Sequence, residues 1–306
     1  MPNTAGVRVS QVQSQMRVSG DSSRVGSSDV PKREMEFEQW VADLPKYFAE
    51  NNDIVLSHIL AVLSSTFPEG ENFFVRSVAA VQHELTDPTL LADVDGFIGQ
   101  EEMHGREHRV LNERFAELGY PTRGIGSYVK GLYWVRERMQ TKLVNLAFTA
   151  ALEHYTATLA ELLLTNDDAR EAIGRRGARD ILTWHALEES EHKAVAFDVY
   201  KAMGGKEPMR IIVMLLTDLL FIFETSVMAA ISIAKDPNTW RHPLKLARSF
   251  ARLPKSPFLS LKAARMLAQY HRPGFHPDDR DTKQLIAEWR EALFGDDGEL
   301  TQLLAS

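Results

Sequence analysis

The chain of 306 residues contains no cysteine. That excludes disulfides, thiolate-held metals, iron–sulfur clusters and a cysteine nucleophile, and it is compatible with a reducing cytoplasm, the expected location. Excess basic charge is also missing. Thirty-five Lys and Arg stand against 42 Asp and Glu, a net charge of −7, so nothing in the overall balance points to nucleic acid. No basic segment followed by an apolar core opens the chain, so no signal peptide is expected. No repeat of 20–50 residues and no flavin or nicotinamide motif is visible. Strand-like alternation is scarce as well, and what remains is helical periodicity.

Residues 1–33 are rich in Ser, Gly, Val and Gln without sustained periodicity and are expected to form a disordered arm. From 34 to 205 the pattern predicts helices at about 53–66, 70–85, 89–118, 127–164 and 168–203, divided by "TDP", "GYPTRGIGS", "TNDD" and "MGGKEP". The expected fold is all-α, a helical bundle with a C-terminal helical region over 206–306. In that region, residues 211–234 form an apolar run long enough to span a bilayer but interrupted by Asp218 and Glu224. Eight Lys or Arg and no acid follow between Arg241 and Arg272. The run is expected to pack on the bundle, with peripheral membrane contact as the alternative. Thr282 to Phe294 reads as a final amphipathic helix.

The stretch "HALEESEH" carries the chemistry. At 100° per residue, His185, Glu189 and His192 lie within about 60° of one another on a helix, with Glu188 at the edge of that face and Glu191 pointing away. "GQEEMHGREH" repeats the spacing as Glu101-x-x-His104, with His108 one turn on. A single Glu-x-x-His means little. Two on separate long helices match the ferritin-like di-metal bundle, which adds one glutamate from each of two other helices. Glu71 in "FPEGENFF" and Glu153 in "ALEHYT" supply them, each in apolar surroundings where an unpaired carboxylate is costly. The candidate metal ligands are therefore Glu71, Glu101, His104, Glu153, His185, Glu189 and His192. His108, Glu188 and His154 are candidates for a further ligand or a supporting position. Thr149 and Thr156, one turn either side of Glu153, are candidates to line a pocket, with interhelical packing as the competing reading. Oxygen and imidazole donors suit two iron ions, or manganese.

With these residues assembled, the chain resembles the family of predicted metal-dependent hydrolases, through "FPEGENFF", "FIGQEEMHGREH", "ALEHYT", "WHALEESEHKAVAFDVY" and "YHRPGFHP". Residue by residue, the metal set is also similar to that of di-iron aryl-amine N-oxygenases, whose one Glu, Glu-x-x-His, one Glu and His-x-x-x-Glu-x-x-His fall on the seven residues named above. This second likeness covers the ligand helices alone. The leading expectation is a non-haem di-iron oxygenase that activates O2 to oxidise an apolar small molecule, by hydroxylation or N-oxygenation, with electrons from an external donor. A hydrolase using a two-metal-activated water is the alternative, and a non-catalytic iron-binding bundle the third. Self-association as a dimer is entertained.

Overall fold

The computed structural model describes residues 29–305. Within them all regular structure is helical, with one isolated β-bridge between Met35 and Leu304. A short α1 (Glu38–Val41) precedes the four long helices that frame the bundle, α2 (Ile54–Gln82), α3 (Pro88–Glu117), α4 (Thr122–Met139) and α5 (Lys142–Thr165). Then come α6 (Asp167–Ile173), α7 (Arg176–His192) and α8 (Val195–Ala202). The C-terminal region opens with the 29-residue α9 (Glu207–Lys235) and continues through α10 (Pro237–Arg241), α11 (Pro243–Arg252), α12 (Leu261–Ala268) and α13 (Lys283–Phe294). Side chains of Asp53, Asp87, Thr141 and Asn166 cap α2, α3, α5 and α6 by accepting from backbone N–H groups of the first turn.

Three boundaries differ from the periodicity reading, each for a local reason. Residues 54–82 form one helix that runs through Pro68, not two. Proline has no N–H, so the Ser64 carbonyl one turn back loses its partner. The Asn112 amide of α3 replaces it, donating from Nδ2 at 2.9 Å. Residues 122–165 are two helices, because Thr141 leaves helical geometry and caps α5. Residues 167–202 are three. The first break falls at Gly174, with φ of +83° and Phe48 O only 2.4 Å from where a Cβ would stand, so no other residue fits.

The expected arm also divides. Residues 1–28 lie outside the described residues, whereas 29–33 pack on the bundle. Val30 is buried against Gly96, and Arg33 reaches Glu188 and Glu191 at 2.8 and 2.7 Å. Charge pairing at a buried position orders what low hydrophobicity alone would leave loose.

α2 packs along α3 and α5 along α7, and α9 lies across α2 and α5. The two largest of four apolar clusters among the described residues lie around Phe73, Phe97, Leu146 and Tyr200, and around Phe48, Phe115, Trp184 and Leu187. Each lends a ring to the polar centre. Phe97 meets the His192 ring edge-on at 5.0 Å between centroids, and Trp184 meets His104 the same way at 5.0 Å. α9 is long and apolar enough to cross a membrane, yet its Val213, Met214, Thr217, Ala229, Ser232 and Ile233 are buried on the bundle.

Candidate metal centre

Four helices aim carboxylates and imidazoles at one buried point: Glu71 from α2, Glu101 and His104 from α3, Glu153 from α5, and His185, Glu189 and His192 from α7. None is more than 4% exposed. Their donor atoms fall into overlapping groups close enough to share an ion. One is Glu101, Glu153, Glu189 and His192; others are His104, His185 and Glu189, and Glu71, Glu101 and His104. Glu101 and Glu189 belong to both ends of this arrangement, which is the position of a bridging carboxylate.

Charge is poorly balanced there. Among the described residues, both oxygens of Glu71, Glu101 and Glu153, Glu189 Oε2, His104 Nδ1 and His192 Nε2 have no hydrogen-bond partner although all are buried. His192 Nε2 stands 3.1 Å from Glu101 Oε1 and 3.5 Å from Glu153 Oε2, near in distance but not aimed as a hydrogen bond. Burial, reinforced by the neighbouring carboxylates, pushes Glu71 and Glu153 well above the ordinary carboxylate range and raises Glu101. Burial acts on Glu189 in the same direction, but His192 and His185 outweigh it and hold that carboxyl well below. On His192 burial is outweighed by Glu189 and Glu101, and its pKa rises well above normal; burial and His185 hold His104 well below. Native interiors rarely leave so many polar atoms bare. A multivalent cation satisfies them together, so the donor set fits a metal.

The surrounding hydrogen bonds fix which ring nitrogen is turned to the cluster. Gln100 donates through Nε2 to Pro31 O at 2.9 Å and Glu191 Oε2 at 2.7 Å, so its Oε1 must accept from His192 Nδ1 at 2.8 Å. His192 Nε2 is therefore the nitrogen that faces the donors, and a cation there would take the place of the proton that Glu189 and Glu101 otherwise favour. His104 Nε2 shares a hydrogen bond with Glu188 Oε2 at 3.1 Å, which leaves Nδ1 turned toward Glu189 and Glu101 at 3.8 and 4.0 Å. Burial pushes Glu188 up to about 8 despite Arg33 beside it.

His185 is set by a longer chain that begins at Pro68. Because Asn112 Nδ2 serves the freed Ser64 carbonyl, Asn112 Oδ1 accepts from Ser64 Oγ at 2.8 Å. Ser64 Oγ then accepts from His108 Nδ1 at 2.9 Å, and His108 Nε2 accepts from His185 Nδ1 at 2.7 Å. His185 Nε2 hydrogen-bonds Glu189 Oε1 at 2.8 Å and stands 3.8 Å from Glu71 Oε1, so a cation bound there would replace the proton on that nitrogen. Metal-binding histidines are held in this way, by a bond from the far nitrogen.

The supporting candidates separate accordingly. Glu188 stands behind the cluster as a partner of His104, whereas His108 both hydrogen-bonds His185 and lies, with Glu71 and His185, in a fourth group close enough to share an ion. His154 turns away and bonds Met266 O and Leu267 O at 3.1 and 3.2 Å. Thr156 lines a cavity; Thr149 does not, since its hydroxyl is spent on Ser77 Oγ at 2.7 Å. Gln100, Arg33, Ser64 and Asn112 were not singled out by sequence, and Glu191, read as pointing away, anchors Gln100 and Arg33. The one local signal was Gln100, a polar residue directly before Glu101.

The cavity, of about 70 Å³, runs between α2, α4, α5 and α9 and ends on Glu71 and Glu189. Leu63, Phe67, Phe74, Leu152 and Phe221 are among its walls, and among the described residues no Lys or Arg lines it.

Fold and site together define an all-α, metal-dependent protein whose donors are carboxylate and imidazole. The family described as predicted metal-dependent hydrolase matches residues 31–281, and the chain belongs to it. No curated protein and no solved structure matches the chain. Family membership overturns the oxygenase expectation. Glu and His ligands on helices can serve O2 chemistry or hydrolysis alike, and the N-oxygenase likeness rested on seven ligand positions, whereas the hydrolase family covers most of the chain. Neither O2 nor an electron donor is needed by a hydrolytic reaction.

Proposed function

We propose that the cluster holds two divalent cations, manganese or iron, and that the chain hydrolyses a carboxylic ester with an apolar acyl group. The observation that carries this is the convergence of buried donor atoms, most of them without a hydrogen-bond partner, into overlapping groups at the end of an apolar cavity. The absence of Lys and Arg from the cavity wall favours an uncharged ester over a phosphate. A cavity that reaches the cluster counts against a bundle that merely stores iron.

Glu153 and His192 would hold one cation, Glu71, His104 and His185 the other, and Glu101 and Glu189 could contribute to either. Bound there, the cations supply Lewis acidity, lowering the pKa of a nearby water and polarising the ester carbonyl. The chain's own part is positional and acid–base. Leu63, Phe67, Leu152 and Phe221 receive the acyl group and exclude bulk water. Glu71 lines the cavity, where its carboxylate oxygen not engaged by the cation would accept the proton of the attacking water and return it to the leaving oxygen.

Metal analysis of the purified chain and turnover of p-nitrophenyl acyl esters of increasing length test this. The expected result is about two ions per chain, with activity lost on chelation and restored by manganese or ferrous iron. Glu71→Gln should keep the fold and lower turnover by about 10²-fold or more. A metal-loaded chain that cleaves no ester of any length overturns the proposal.

A further inference from the structure

Along the outside of α9, Ile212, Leu215, Leu216, Leu219, Phe223 and Val227 form an exposed stripe at helical spacing, with Leu219 67% and Phe223 63% exposed. Tyr128, Leu132, Val135 and Met139 make a second stripe along α4, Met139 being 73% exposed. Exposed apolar surface in so continuous a band is unusual for a protein surrounded by water. The two acids that interrupt the sequence of α9 do not interrupt this face. Asp218 turns inward to Tyr155 Oη and His271 Nε2, and Glu224 turns toward α4, where Tyr128 Oη donates to it at 3.3 Å.

A groove of about 360 Å³ separates the stripes, lined by Ile125, Tyr128, Phe223, Val227 and Ile231. It shares Glu224 and Met228 with the cavity that ends on Glu71 and Glu189. The outer groove and the inner cavity thus adjoin at these two side chains. The chain leaves α9 directly into the segment with eight Lys or Arg and no acid, where Trp240, Leu244, Phe250, Leu259 and Leu261 are also exposed. In a chain of net charge −7 this concentration of one sign is local.

We propose that the α4–α9 face and the basic segment after it dock on an anionic lipid bilayer, and that an acyl chain passes from the bilayer through the α4–α9 groove to the cluster. Charge complementarity chooses this occupant. A second copy meeting the face across a two-fold axis would bring the basic segment toward its own image, with no acid there to meet it. The inner side of α9 packs on α2 and α5, an arrangement that a helix lying in the interface keeps and a spanning helix would have to give up. The helix lies in the interface plane, with leucines and phenylalanine in the acyl boundary and Lys and Arg at the headgroups. Docking stands on the surface alone; that the entering molecule is a lipid ester rests on the hydrolytic reading above.

Co-sedimentation of the full, metal-loaded chain with vesicles of phosphatidylcholine, and of phosphatidylcholine mixed with phosphatidylglycerol, decides the matter without any turnover. Binding to the mixed vesicles should be at least about tenfold stronger and should weaken as salt is added. Leu216→Glu with Leu219→Glu should abolish it, and Lys245→Glu with Arg248→Glu should remove the preference for anionic lipid, both with metal content and helical circular dichroism unchanged. No binding to either vesicle overturns docking. So does binding that survives Leu216→Glu with Leu219→Glu, or a doubled solution mass that this variant halves. Docking with no release of fatty acid from phosphatidylglycerol, in a chain that still cleaves p-nitrophenyl esters, overturns the lipid substrate and leaves the hydrolytic site standing.

Discussion

Between α2, α3, α5 and α7 the bundle buries charge without neutralising it; along α4 and α9 it exposes hydrocarbon without covering it. Both regions are incomplete as protein alone, but they are built differently. Around the cluster every imidazole has its far nitrogen tied down, through Gln100, Glu188 or the His108–Ser64–Asn112 chain. The apolar stripe has no comparable scaffold. An ion demands donors at set distances and directions, whereas the hydrophobic effect is non-directional and scales with area. Precision is spent where the missing component is directional.

The contrast predicts unequal responses to substitution. The largest effect should come from Glu101→Ala or Glu189→Ala, since each removes a donor from both sets. Metal content should fall from two ions to less than one, measured by elemental analysis, with activity reduced by about 10³-fold or more. Glu153→Gln touches one set, so one ion should remain.

Next is removal of the metal. Glu71, Glu101 and Glu153 have folded-state pKa values above their ordinary ones. In metal-free protein the unfolded chain therefore loses these protons first. Stability is kept below the ordinary carboxylate pKa and falls as pH rises above it. Bound metal cancels that loss, by about 4 kcal/mol at a thousandfold excess of ligand over Kd. Thermal unfolding across pH, with and without chelator, should show the gap widening toward alkaline pH. Glu153→Gln should stabilise the metal-free form while weakening the metal-bound one.

Smaller effects belong to residues that never touch the ions. Arg33→Ala releases Glu188 and hence His104; Asn112→Leu frees Ser64 and lets His185 adopt the wrong tautomer. Each should weaken metal binding by about 10–100-fold in competitive titration, with little loss of helicity. If both leave affinity unchanged, the far-nitrogen bonds are packing and nothing more. Smallest of all, Val135→Ser on the exposed stripe should move stability by no more than about 0.5 kcal/mol in denaturant unfolding.

That these seven side chains would share helix faces was legible in the sequence because helical periodicity is local: three- and four-residue spacings place side chains on one face wherever the helix goes. The bonds that orient them were not, because Gln100, Arg33, Ser64 and Asn112 reach their partners across 44 to 158 positions. The continuity of α2 was hidden for the same reason. Proline reads as a break unless another helix supplies a donor for the carbonyl it strands. The break at Gln140 and Thr141 carries neither Pro nor Gly and so gave no punctuation to read. Reaction type was the least legible feature, since spacing specifies ligands but not what the bound ions are asked to do.

One consequence of Pro68 concerns repair. An internal proline costs a helix about 3 kcal/mol, and Pro68→Ala would ordinarily count as an improvement. Here the restored rung would occupy the Ser64 carbonyl, and Asn112, with no claim on its amide, could turn over and offer a donor where an acceptor is required. Two hydroxyl and imidazole links later, His185 would carry its proton on the wrong side. The flaw in the helix works as the fixed end of a proton-ordering wire, and straightening the helix would cut it.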